Sequence, residues 1–300
     1  MDKITLGRLR GSFFPLLLLI IIFVICFQNW EVGTWLSGWD VLHPEFNFSL
    51  AFKRVFSGVW RSEQGVGSLA AHSHMADLPR IIILWLFSFF LPISFLRYLY
   101  FFITLALGSL GVYFFIKGAL KDRGFTTRLA SFLGASYYLL NLGTLQHFYI
   151  PFEMFATQFA FLPWLFYLSL KFLEMGKRSD LIFFGLASLL ATPMAYAATL
   201  FYAYLAALTL FLFILTVLQK DKRLFLKRSL TILLLILSTN AFWILPNLYS
   251  LAKQSSAISQ AKINRLFSQE AFLHNKEYGS FSNILIQKNF LFSWKEYDNS

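Results

Sequence analysis

Cysteine is almost missing from this 300-residue chain. The one thiol, Cys26, has no partner for an internal disulfide, so cysteine usage says nothing about redox compartment. Charge is scarce too. Asp, Glu, Lys and Arg make up 14% of the residues, against about 25% in soluble globular domains. That shortage excludes a soluble domain before any motif is read. The sequence also holds no glycine-rich phosphate loop, nucleophile elbow or paired-cysteine motif, which argues against a soluble nucleotide-dependent enzyme. Internal repeats and low-complexity tracts are lacking as well.

Apolar residues fill the space these absences leave. The chain is 57% hydrophobic, carries 37 Phe and eight Trp, and has a mean hydropathy of +0.60. Such a composition predicts an all-α integral membrane protein with aromatic residues at its lipid boundaries. The apolar runs lie at 13–30, 81–96, 98–116, 129–150, 155–170, 181–219 and 229–249. A crossing needs about 20 apolar residues. The long run 181–219 therefore reads as two helices broken at Pro193. The run 81–96, interrupted by Pro92 and closed by Arg97, reads as a short interfacial or dipping segment.

A net charge of +11 raises the question of nucleic acid, and its distribution answers it. The first run follows Lys3, Arg8 and Arg10 and lacks a small-residue cleavage site, so it predicts a retained helix with a cytoplasmic N-terminus. With 81–96 not crossing, seven spans result. The cytoplasmic side then holds 15 of the 26 basic residues and five of the 15 acids. Nearly the whole positive excess sits where membrane insertion puts it, so no nucleic-acid partner is needed. All five histidines (His43, His72, His74, His147, His274) fall on the opposite, outer side. So do Glu153 and every acid of the large first outer loop, 31–97.

Within that loop, Gly38 to Arg80 gathers four carboxylates, three histidines and four basic residues into 43 positions. Asp40 has two readings: a general base at the interface, or the N-cap of the next helix. Glu45, just after His43 and Pro44, is a second catalytic candidate or a supporting residue. Residues 46–60 predict an amphipathic helix on the membrane surface. Its Lys53 and Arg54, with Arg61 beyond, either anchor to anionic headgroups or neutralise a leaving phosphate. His72 and His74 with Asp77 and Arg80 suggest a polar pocket wall. A divalent metal there is conceivable, but neither spacing nor partner residues match a defined metal motif. Asp77 before Leu78-Pro79 equally suits a helix N-cap. His147 and Glu153 either complete the pocket from the helix side or are the polar ends of a membrane helix.

The run Gly38-Trp39-Asp40-Val41-Leu42-His43-Pro44-Glu45, then Gln64-Gly65 and Asp77-Leu78-Pro79-Arg80 through Leu91-Pro92, resembles the GT-C membrane glycosyltransferases. Arg97-Tyr98 before an apolar helix with Gly108 and Gly111 adds to the likeness. In detail the chain is similar to the N-terminal module of the alpha-(1->3)-arabinofuranosyltransferase family. The resemblance implies a GT-C-like helical bundle, a polyprenyl-phosphate sugar donor, a glycan acceptor and inverting transfer, with no cofactor. It implies a first-loop carboxylate as base, which falls on Asp40. Members of that family are much longer. Residues 1–250 are therefore expected to form the membrane module, and 251–300 to begin a further non-cytoplasmic region. A transporter or flippase, or a non-catalytic scaffold for lipid-linked glycans, is the alternative. The near absence of charge inside the spans, where Asn141 and Asn240 are the polar residues, weighs against transport.

Overall fold

The computed structural model describes residues 3–37, 43–57, 60, 75–121, 124–144, 151–260 and 262–287. Among them every regular element is helical: α1 (Lys3–Gln28), α2 (Phe48–Phe56), α3 (Leu78–Phe87), α4 (Ile93–Ala119), α5 (Phe125–Leu140), α6 (Glu153–Met175), α7 (Arg178–Leu190), α8 (Ala198–Leu218), α9 (Lys222–Gln260), α10 (Lys262–Tyr278) and α11 (Phe281–Leu285). Single 3-10 turns at Pro44–Phe46 and Thr192–Tyr196 complete the set.

Among the described residues, three helices are long and apolar enough to cross a membrane: α4, α8, and α9 over Lys222–Lys253. The chain is thus a helical protein built for a bilayer. The other expected crossings fall on α1, α5, α6 and α7. Of these α5 has 16 residues and α7 has 13, lengths of about 24 and 20 Å at 1.5 Å per residue.

The proline breaks fall where the chain predicts them. Pro193 lies in the 3-10 turn between α7 and α8. Pro92, with an extended backbone, separates α3 from α4. The ten residues of α3 reach about 15 Å, half of a hydrocarbon core of about 30 Å. The run 81–96 is therefore a short helix, a turn and the first residues of α4. Asn141 stops α5 nine residues before the apolar run 129–150 ends. Its amide donates to the Tyr138 carbonyl at 2.8 Å, and its carbonyl accepts from the Thr144 N–H at 2.9 Å.

Close packing sets the helix spacing. Gly108 of α4 sits against Phe159 of α6, where an added Cβ would lie 2.7 Å from the Phe159 carbonyl oxygen. Trp164 Nε1 donates to the Leu107 carbonyl at 2.8 Å beside it. A backbone oxygen cannot turn aside, so Gly108→Ala is expected to push α4 and α6 apart. The cost is about 1–3 kcal/mol, read as a lower unfolding midpoint in detergent. A second core lies between α6, α7, α8 and α9, where the Trp243 ring meets Phe201 edge-on at 4.8 Å. Asn240 is buried there with full satisfaction: it donates to Ser188 Oγ at 3.1 Å and accepts from Trp243 Nε1 at 2.8 Å. Outward, Phe213, Leu218 and Leu234 expose 64%, 73% and 64% of their surface, which suits lipid and not water.

The two ends of the bundle differ in charge. The turns α4–α5, α6–α7 and α8–α9 share one end. Lys121 pairs with Glu174 at 2.7 Å and Lys171 with Asp180 at 2.8 Å. Arg228 caps the C-terminus of α6 by donating to the Leu173 and Glu174 carbonyls. Its guanidinium lies on Gly176, whose left-handed φ of +65° ends that helix. The described basic residues of 117–128, 171–178 and 220–228 all collect at this end. At the opposite end lie His43, Glu45, Asp77 and Glu153.

Candidate functional site

At that second end, four elements converge: the turn at Pro44–Phe46, the start of α3, the first turns of α4, and the start of α6. Each contributes a charged or polar side chain, and all are buried. Asp77 occupies the cap position of α3, but its carboxylate makes no capping hydrogen bond. It takes a two-pronged bond from Arg80 instead, Nε to Oδ1 at 2.7 Å and Nη2 to Oδ2 at 2.5 Å. This corrects the N-cap reading. A desolvated carboxylate gains more from a guanidinium fork than from one backbone N–H. Burial pushes the Asp77 carboxyl up, while the positive charge of Arg80 pulls it back.

Arg80 Nη1 reaches on to Glu153 Oε1 at 3.0 Å. Arg97 Nη2 meets the same oxygen at 2.7 Å and also donates to the Pro151 carbonyl at 2.8 Å. Glu153, 5% exposed, is therefore clamped between two guanidiniums. Its reading as a polar helix end at the boundary gives way to one as the centre of the cluster. Arg97 Nη1 lies 3.0 Å from both ring nitrogens of His43, and His43 Nδ1 lies 2.9 Å from Glu45 Oε1. The tautomer that serves both contacts has Nδ1–H donating to Glu45 and Nε2 accepting from Arg97. Below the cluster, Thr157 Oγ1 donates to the Glu153 carbonyl at 2.6 Å and sits 2.5 Å from the Tyr100 hydroxyl. Among the described residues, Glu45 Oε2 and Arg97 Nε are buried without a hydrogen-bond partner.

A small pocket of about 60 Å³ opens beside this network, lined by His43, Asn47, Leu50, Arg54, Asp77 and Ile81 among others. Its floor is the cluster and one wall is α2. Asn47 fixes that wall by capping α2, its Oδ1 accepting from the Leu50 N–H at 2.9 Å. One face of α2 turns in at Val55, 4% exposed, while Phe56 is 75% exposed. That is the amphipathic surface helix expected of 46–60, in a shorter form. Arg54 lines the pocket, and among the described residues its buried Nε has no hydrogen-bond partner. Lys53, next to it, is exposed and stays apart.

Of the candidate residues, His43, Glu45, Arg54, Asp77, Arg80 and Glu153 are thus brought together. Asp40, Arg61, His72, His74 and His147 lie outside the described residues. Among the described residues no three His, Cys, Asp or Glu side chains are placed to hold a metal ion. Arg97 is the member that motif reading passed over as a site residue. Its signal was there: an arginine inside an apolar segment needs a partner. Three carboxylates, Glu45, Asp77 and Glu153, face two guanidiniums inside the cluster, and Arg54 at the pocket supplies a third positive charge. Comparison with protein-family models, with curated proteins and with solved structures finds no match for this chain.

Proposed function

We propose that this chain is a GT-C-type membrane glycosyltransferase module that moves a sugar from a polyprenyl-phosphate donor to a cell-envelope glycan. A pentofuranose such as arabinofuranose is the sugar the family resemblance favours. The observation that carries the reading is the pocket itself. Buried carboxylates, imidazole and guanidinium meet beneath a surface-lying amphipathic helix, at the end of the bundle away from the basic turns. A lipid-borne phosphate at the membrane boundary would bring its headgroup to that height. With seven crossings and a cytoplasmic N-terminus, this end faces outward across the plasma membrane of a bacterial cell. In this reading residues 1–250 form the membrane module.

The chemistry divides among the residues as follows. Asp40 takes the proton of the acceptor hydroxyl, whose oxygen attacks the anomeric carbon. The bond from that carbon to the donor phosphate breaks with inversion, and the phosphate leaves with the electron pair. Arg54 neutralises it by charge-assisted hydrogen bonds. His43, held by Glu45 and Arg97, positions the sugar. The pocket admits one polar group, so the ring of the sugar lies across its mouth.

The test is transfer of radiolabelled sugar from a polyprenyl-phosphate donor by the full chain in proteoliposomes. Arg54→Ala is expected to lower the rate about 10- to 100-fold, the worth of one charge-assisted hydrogen bond of about 1.5–3 kcal/mol. Labelled lipid that crosses the bilayer with no sugar transferred would replace this reading with a flippase. Against that second reading, the described charged cluster lies at the helix ends, and Asn240 within α9 has its hydrogen bonds satisfied.

A further inference from the structure

The last described element, α11, has no place in the site, and its surface is wrong for water. Phe281, Ile284 and Leu285 expose 76%, 62% and 57% of their area, and Ile286 follows at 53%. Three exposed large apolar groups in a five-residue helix, with a fourth at its end, leave it without an apolar core of its own. Yet it is not adrift. Tyr137 O–H, on the last turn of α5, donates to the Leu285 carbonyl at 3.1 Å. The Gln287 side chain comes so close to Gly143 that a Cβ there would lie 2.8 Å from its Oε1. Ser280 caps the helix start, accepting from the Asn283 N–H at 3.3 Å.

The anchor point fixes the depth of α11. Helix α5 starts at Phe125 at the basic end, and Tyr137 stands about 18 Å along it at 1.5 Å per residue. Its neighbour Tyr138 donates to the Phe159 carbonyl at 3.0 Å, level with the Gly108 contact between α4 and α6. In a hydrocarbon core of about 30 Å, that height lies past the midplane, in the leaflet on the site side. Residues at this level outside the bundle face acyl chains.

We infer that Phe281–Ile286 is a membrane anchor that lies in the site-side leaflet, bringing the chain after α9 and α10 back into the bilayer beside α5. The occupant of its apolar surface is lipid: the zone of acyl chains beneath the headgroups. Three features argue for this over a protein partner. The segment lies alongside a helix that itself exposes Leu133, Tyr137 and Leu140. Its polar groups are answered locally, by the Ser280 cap and Tyr137. Helix α2, at the same end, exposes Leu50 and Phe56, and the turn before it exposes Phe46. The two amphipathic elements are the pattern of segments that lie along a membrane boundary. This inference stands apart from the proposed transfer reaction.

The experiment is site-directed spin labelling of the full chain in vesicles of phosphatidylcholine and phosphatidylglycerol. Cys26 is first replaced as Cys26→Ser, and single labels are then placed by Phe281→Cys, Ile284→Cys and Leu285→Cys. Lys222→Cys at the basic end serves as the aqueous reference. At all three α11 positions the ratio of oxygen to nickel-chelate accessibility is expected to exceed the reference several-fold. Ratios equal to the reference would put α11 in water and overturn the inference. Loss of access to both reagents, with dipolar broadening between labels, would seat it against a second copy and overturn it equally. Because the side chains are exposed, a folding failure at one position leaves the others readable.

Discussion

Glu153→Ala is expected to cost about 3–5 kcal/mol, the effect of removing one partner from a buried ion pair, and most of the chain should fail to elute as a monodisperse species in detergent. The reason is arithmetic of charge. Arg80 and Arg97 both end on Glu153 Oε1, and the two guanidiniums are 3% and 2% exposed. Without the carboxylate they stand near each other with no water to screen them. Arg80 keeps Asp77, but among the described residues Arg97 keeps the Pro151 carbonyl and the His43 ring. Glu153→Gln is the informative companion. Its amide oxygen still accepts from both arginines but carries no charge, so a loss clearly smaller than that of the alanine variant is expected. Melting of purified protein, followed by the retained size-exclusion peak, reads both. An alanine variant within about 0.5 kcal/mol of the parent, the range of an ordinary surface substitution, would show that the arginines find other partners. The clamp would then have no structural weight.

How much of this could be read from residues alone depends on the distance over which each signal acts. Pro92 and Pro193 break helices through their own rings, so both interruptions were legible. The surface helix was legible too, because Leu50, Val55 and Phe56 mark its faces within two turns. Helix ends set by side-chain caps were less so. The run 129–150 stays apolar past Asn141, and hydropathy does not register that the asparagine has taken over the carbonyls of Tyr137 and Tyr138. Asp77 kept two readings, pocket wall and helix cap, because Asp-Leu-Pro fits a cap locally, whereas the Arg80 fork emerges only with burial. The clamp itself is non-local: Glu153 stands 73 residues from Arg80, and no periodicity links them. Charge counting led to the expectation that Glu45, Asp77 and Glu153 lie on the side away from the basic turns. It could not say which of them touch.

The charge asymmetry joins these two levels. Basic residues gather at the turns α4–α5, α6–α7 and α8–α9, and some of them serve helix ends there, as Arg228 does for α6. At the other end, among the described residues, Arg80 and Arg97 are paired with carboxylates. Lys53 remains exposed and Arg54 faces the pocket. Of the described basic residues, Arg54 is the one that lines the pocket without a carboxylate partner. For that reason Arg54, and not the more conspicuous Arg80 or Arg97, is the guanidinium assigned to the donor phosphate.

Asp40→Asn is expected to reduce sugar transfer by about 10²–10⁴-fold, the usual worth of a general base, with little change in stability. Glu45→Gln is expected to reduce it by tenfold or less. The contrast follows from access. Glu45 is 2% exposed and lies behind His43, which lines the pocket while Glu45 does not. An acceptor hydroxyl in the pocket would meet the imidazole first, so Glu45 acts through His43 and is a positioning residue. Gln at 45 can still accept from His43 Nδ1–H, leaving the ring oriented and costing about 1 kcal/mol for a charged hydrogen bond exchanged for a neutral one. Asp40 is three residues from His43 in sequence, and its role as base rests on the family resemblance alone. The two variants also differ in kinetic form. Loss of the base lowers kcat with KM nearly unchanged, whereas a shifted imidazole raises KM through poorer sugar placement. Transfer by Asp40→Asn at the parent rate, with Glu45→Gln inactive yet well folded, would reverse the assignment and make Glu45 the base.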